Sequence, residues 1–182
     1  MRQLAIPFLA AIAVLSASLS AAQSHFTLDG DTFDNNLGAS LAQVADLNGD
    51  GYSDLVAGEP GHDGAIQDGG RILLISGKDG AVIRTHYGSG ANQRLGKYVA
   101  AAGDHNGDGT PDYVGGSEYD NEFGYPTGYV RVWSGSDGSL IREYSSSLNW
   151  DFFGSAICGV GDLNNDGFDD LAVGAHDDDW GS

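Results

Sequence analysis

A single cysteine, Cys158, rules out an intrachain disulfide in these 182 residues, so oxidised pairs are not what fixes the loops. Basic side chains are also scarce: 8 Lys and Arg stand against 26 Asp and Glu, for a formal net charge of −18. A chain this acidic repels phosphate backbones and has no basic patch with interleaved aromatics, which excludes nucleic acid as a partner. No apolar stretch after residue 15 is long enough for a membrane span. Glycine is plentiful instead, at 29 residues, about twice the usual ~7%. That points to many tight turns and few long helices. The acid excess makes calcium the expected partner.

The N-terminus carries one positive charge, Arg2, then an apolar run from Leu4 to Leu15 and small residues from Ser16 to Ala22. This is the pattern of a secretory signal peptide. Ser20 and Ala22 suit the −3 and −1 positions of a peptidase, so cleavage is expected after Ala22, with residues 1–22 as the leader and a secreted or cell-surface product, extracellular or periplasmic. The run is too short to cross a bilayer.

Sliding the remaining chain against itself gives one gapless register. Leu37-Gly38, Leu95-Gly96 and Phe153-Gly154 are 58 residues apart, and Asp46, Asp104 and Asp162 keep the same step. Residues 37–94 and 95–152 share 19 identities in 58 positions without an insertion. A period of this length marks an array of like units. The expected organisation is the end of a preceding unit at 23–36, repeats at 37–94 and 95–152, and a truncated third repeat at 153–182.

Each repeat reads as four short strands. In the first they are Leu41–Ala45, Asp54–Ala57, Arg71–Ile75 and Ala81–Thr85; in the second, Val99–Ala102, Asp112–Val114, Tyr129–Trp133 and Ser139–Glu143. Ser76-Gly77-Lys78-Asp79-Gly80 and Ser134-Gly135-Ser136-Asp137-Gly138 are hairpin turns between third and fourth strands. Four antiparallel strands per repeat, with no helical periodicity in any window, predict an all-β fold of propeller blades. A ring needs at least about four blades. The 160 residues after the leader are too few, so an incomplete ring and a fragment of a longer protein are expected.

Between the first and second strands of each copy lies Asp-x-Asn-x-Asp-Gly-x-x-Asp. The side chains are Asp46, Asn48, Asp50 and Asp54; Asp104, Asn106, Asp108 and Asp112; Asp162, Asn164, Asp166 and Asp170. Oxygen donors at alternate positions of a curled loop converge on one point, as a hard cation requires, and the carbonyls of Tyr52, Thr110 and Phe168 can complete the shell. Crowded carboxylates on a flexible loop favour Ca2+ over magnesium, with up to three sites, one per repeat. An EF-hand would need glutamate at position 12, where Ala57, Gly115 and Val173 stand. The competing reading is a set of solvated Asp/Asn/Gly turns, which threefold recurrence at fixed spacing disfavours.

Leu/Phe-Gly, this acidic loop, and then Gly58-Glu59-Pro60, Gly116-Ser117-Glu118 or Gly174-Ala175-His176 resemble the FG-GAP repeat. Only Phe153 supplies the F, and no copy spells GAP in full. The resemblance implies the β-propeller found at the head of integrin α chains and in secreted bacterial proteins, here a bacterial secreted member. It also places the family's calcium ligands on the twelve Asp and Asn side chains named above.

Antiparallel succession puts the acidic loops and the Ser-Gly-x-Asp-Gly turns at one end of the blades, and the 2–3 and 4–1 connections at the other. That second end, with Tyr119, Phe123, Tyr125 and Trp150, is the candidate surface for an unknown protein or glycan ligand, with blade-to-blade packing as the competing role of its aromatics. No Ser-His-Asp arrangement or HExxH is present, so no catalytic residue is assigned and an enzyme is not expected. His105 should point outward from its loop, His62 and His176 should lie in solvated loops, and Cys158 should be a buried packing residue. The leading expectation is a calcium-binding adhesion or recognition module. The alternative is the non-catalytic propeller of a larger exported hydrolase or lyase.

Overall fold

A computed structural model describes residues 12–14, 25–30, 34–119, 127–146 and 150–176, and contains no helix among them. The strands are β1 (Ile12–Val14), β2 (His25–Thr27), β3 (Leu41–Gln43), β4 (Leu55–Glu59), β5 (Arg71–Ile75), β6 (Val82–Tyr87), β7 (Tyr98–Gly103), β8 (Asp112–Ser117), β9 (Tyr129–Trp133), β10 (Leu140–Ser145), β11 (Ala156–Gly161) and β12 (Asp170–Gly174). Strands β3 to β6 form one four-stranded antiparallel meander and β7 to β10 a second, while β11 pairs with β12 and β1 with β2. The ladder itself repeats: Leu41 faces Ala57, Val99 faces Gly115 and Ile157 faces Val173, each 58 residues after the last. This is an all-β set of propeller blades with no closed ring among the described residues.

Third strands sit where the sequence places them. Second strands run further, through Glu59 and Ser117, because Gly58 and Gly116 remain in the ladder opposite Ile72 and Val130. Glycine is required at Gly58 by the next blade, since a Cβ there would lie 1.8 Å from the Gly96 carbonyl oxygen. Gly96, from the second Leu-Gly pair, has φ +92° and presses on the Arg71 carbonyl. The Leu/Phe-Gly pair is thus a close backbone crossing between blades.

Strands β5, β8 and β9 are covered on both faces and are therefore continuously apolar rather than alternating. One core cluster joins the first two blades: Val56, Ile72 and Leu74 meet Leu95, Val99, Tyr113, Tyr129 and Trp133. A second lies between blades two and three, with Val114, Val130 and Val132 against Ile157, Leu171 and Val173. The first strands β3, β7 and β11 lie side by side. His86 of β6 stacks on Trp133, ring centroids 4.8 Å apart, and its Nε2 lies 2.8 Å from the Tyr113 hydroxyl. Burial, with the Arg84 charge beside it, depresses the His86 pKa to about 4. Arg84 donates to the Gly135 and Ser136 carbonyls at 2.7 and 2.8 Å, tying the outer strand of one blade to a turn of the next.

Candidate metal centre

The three acidic loops share one local geometry. Asp46 Oδ1 accepts from the Gly49 and Asp50 amides at 2.8 and 3.1 Å, and its Oδ2 accepts from Gly51 at 2.7 Å. Asp104 repeats this with Gly107, Asp108 and Gly109, and Asp162 with Asp166 and Gly167. Asn48, Asn106 and Asn164 each donate Nδ2 to the following aspartate at 2.9–3.0 Å. Asp50, Asp108 and Asp166 in turn accept from the amides of Tyr52, Thr110 and Phe168. Glycines with φ from +74° to +92° let the chain curl this tightly at Gly49, Gly51, Gly107, Gly109 and Gly167.

The ninth-position aspartates differ from the rest because they are drawn inward. Asp54 and Asp112 are buried, at 1% and 0% exposure. Asp54 accepts from Leu47 at 2.8 Å and Gly77 at 3.2 Å; Asp112 accepts from His105 and Gly135, both at 2.9 Å. Each carboxylate thus clasps its loop to the Ser-Gly-x-Asp-Gly turn, so these two features do share an end of the blade. In the third copy Asp170 accepts from Leu163 at 3.0 Å.

Burial raises the pKa of both Asp54 and Asp112; the amide bonds oppose this, and repulsion from Asp50 and Asp46, or from Asp108, adds to it. Desolvation also acts on Asp50, but Asn48, Ser76, the Tyr52 amide and Lys78 outweigh it and hold its carboxyl low. Asp108 is held low chiefly by Asn106 and the Thr110 amide.

Among the described residues no three His, Cys, Asp or Glu side chains are gathered to hold a metal ion, because the carboxylates are directed at their own loop's amides. The donor set nevertheless suits a hard cation. All its side-chain donors are oxygens, and a carboxylate oxygen that accepts one amide keeps a further lone pair. A cation would also relieve the repulsion that raises Asp54 and Asp112. Sequence reasoning missed Ser76, whose hydroxyl donates to Asp50 at 2.9 Å; its signal was the Ser that opens both 3–4 turns.

Three expectations need correction. His105 does not point outward: Nδ1 lies 2.7 Å from the Asp169 carbonyl and Nε2 3.0 Å from the Tyr144 hydroxyl, so the ring is wedged against the next blade. His62 is not solvated but buried, 3.5 Å from Asn35 and 3.9 Å from Glu59, because Tyr87 covers it. Cys158 is exposed, since its face of β11 is not covered by another blade among the described residues.

At the opposite end, the 2–3 and 4–1 connections are tied together by amides of Asn92, Arg94 and Leu95 donating to carbonyls of Gln67, Asp68 and Gly69 at 2.9–3.0 Å. Buried Glu59 pairs with Arg71 there, and Glu118 with Lys97. The Tyr98 hydroxyl also donates to Glu118 at 2.8 Å; burial and that carboxylate push the phenol up to about 12. Tyr119 meets Phe152 edge to face and lies under Lys97 and Arg94, so it serves blade packing, while Trp150 is 51% exposed. Phe123 and Tyr125 lie outside the described residues.

The FG-GAP repeat family matches residues 37–75 and 153–182. The chain is 31% identical over 159 residues to integrin alpha-6 of Gallus gallus, 30% over 168 residues to integrin alpha-2 of Mus musculus, and 33% over 150 residues to integrin alpha-8 of Gallus gallus. These alignments cover 82%, 84% and 78% of this chain and 14% of each relative, so the chain spans about a seventh of their length. The middle copy lies outside the family match, yet it folds in the same register as its neighbours. The chain carries FG-GAP repeats and belongs with the integrin α-like β-propeller proteins.

Proposed function

We propose that this chain is an exported, calcium-stabilised propeller module that recognises a protein or glycan at a cell surface through the end opposite its acidic loops. The observation that carries this reading is the division of labour between the two ends. One repeats a hard-donor loop three times, and the other displays different side chains in each copy. Similarity to integrin α chains over 82% of the sequence supports it. Asp46, Asn48, Asp50 and Asp54, with the Tyr52 carbonyl, would hold one ion; Asp104, Asn106, Asp108, Asp112 and Thr110 a second; Asp162, Asn164, Asp166, Asp170 and Phe168 a third. Calcium would fix the loops and offset their mutual repulsion. Residues 1–22 would direct export and be removed after Ala22.

The test is surface adhesion by the purified chain. Immobilised protein should retain cells or matrix proteins in calcium buffer and release them with a chelator. Substitutions among the 2–3 and 4–1 connections should abolish retention at unchanged calcium binding. Retention that survives those substitutions but is lost on changing Lys78 or Ser136 in the 3–4 turns would overturn the reading.

A further inference from the structure

We infer that the seam between the second and third blades, at the end opposite the acidic loops, is a docking site for an extended peptide carrying one carboxylate beside an aliphatic side chain. This rests on the reading of that end as the recognition surface. Three observations converge on it.

The first is backbone strain placed under large side chains. The residue before each Leu/Phe-Gly pair is left-handed, at Asn36 (φ +56°), Arg94 (φ +52°) and Phe152 (φ +52°). Two positions earlier, Asn92 has φ +60° and Trp150 φ +69°. Asparagine tolerates this region, as the copies holding Asn36 and Asn92 illustrate; a bulky side chain there is a true outlier. Arg94, Trp150 and Phe152 thus occupy positions at which local stability favours asparagine. Strain of this kind gathers at ligand clamps.

The second is an exposed cation with no acidic partner. In a chain of 26 carboxylates, Arg71, Lys97 and Arg131 pair with Glu59, Glu118 and Glu143. Arg94 pairs with no carboxylate among the described residues; its guanidinium lies 5.3 Å from the centroid of the Tyr119 ring. That leaves a planar donor fork that fits a carboxylate.

The third is the aromatic bed around it. Tyr119 meets Phe152 at 6.4 Å, and Phe152 stacks on exposed His176 at 5.0 Å. An aliphatic side chain next to the carboxylate would lie on these rings. A polyanionic glycan suits the site less, because a net charge of −18 repels a chain of repeated carboxylates, whereas a single carboxylate meets Arg94 alone.

The test is amide and guanidinium shift mapping on the full chain with acetyl-Leu-Glu-Leu-amide, acetyl-Leu-Gln-Leu-amide and glucuronate. The glutamate peptide should shift Arg94, Tyr119, Phe152 and His176 saturably, and the glutamine peptide should bind about tenfold more weakly. Arg94→Asn should raise the melting temperature by relieving the strain while weakening the glutamate peptide about tenfold. Unchanged affinity in that variant, a lowered melting temperature, or glucuronate binding as well as the peptide would each overturn the proposal. Shifts confined to other connections at the same end would overturn this site but leave the recognition reading standing. Shifts at the acidic-loop end would contradict both.

Discussion

The two ends of the blades are built on opposite plans. At the acidic-loop end the same side chains make the same bonds copy after copy: Asp46 and Asp104 each gather three amides, and Asp54 and Asp112 each bracket a turn. At the other end equivalent positions differ. Buried Glu59 pairs with Arg71 in the first blade, where Ser117 and Tyr129 stand in the second, and the second builds its own pair from Glu118 and Lys97. Repetition marks what every blade needs in order to stand beside its neighbour. Variation marks chemistry particular to one place, and recognition is therefore sought there.

Substitutions can break this contrast. The largest effect is expected at the crossing both ends depend on: Gly58→Val, whose Cβ would overlap the Gly96 carbonyl, should lose more than about 4 kcal/mol by urea denaturation or fail to fold. Next is the variable end. Arg71→Met strands the fully buried Glu59 carboxylate and should lose about 3–5 kcal/mol, and adding Glu59→Leu should recover much of it, as a double-mutant cycle would show.

At the repeated end, Asp112→Ala should lose about 1–3 kcal/mol with or without calcium, because the His105 and Gly135 amides lose their acceptor. Asp108→Ala, by contrast, should lower the melting temperature only in calcium. Equal behaviour of the two variants would show that the inward and outward aspartates are not distinct. The smallest effect is pH-dependent. His86 is neutral in its stack with a pKa of about 4, so unfolded chains take up the proton first. Stability from this group is full above about pH 6.5 and is lost as pH falls toward 4. His86→Gln should flatten that slope in melts recorded across this window.

Most of the blade plan was legible because it is written in local, repeated signals. The Asp-x-Asn-x-Asp-Gly-x-x-Asp spacing specifies a curled loop without help from distant residues, and the 58-residue step carries the ladder register with it. What sequence could not show depends on which side chains meet across blades. His105 is held by Asp169, 64 residues away, and no periodicity connects them. The burial of His62 depends on Tyr87 and Asn35 folding over it. Cys158 looked like a core residue by composition, but its exposure is set by what lies beside β11. Of the candidate site, the loops' shape was readable and Ser76 was not, since its bond to Asp50 spans 26 residues.

Calcium titration of the full chain by isothermal calorimetry, with matched melting curves, tests the central claim most directly. The account predicts binding with a stoichiometry of up to three ions, at dissociation constants of about 10⁻⁴ to 10⁻³ M, not reproduced by magnesium. At a hundredfold excess over the dissociation constant each site should add about 2.7 kcal/mol. No binding heat and a melting temperature unmoved by millimolar calcium would contradict it, and would leave the acidic loops as turns held by their own amides.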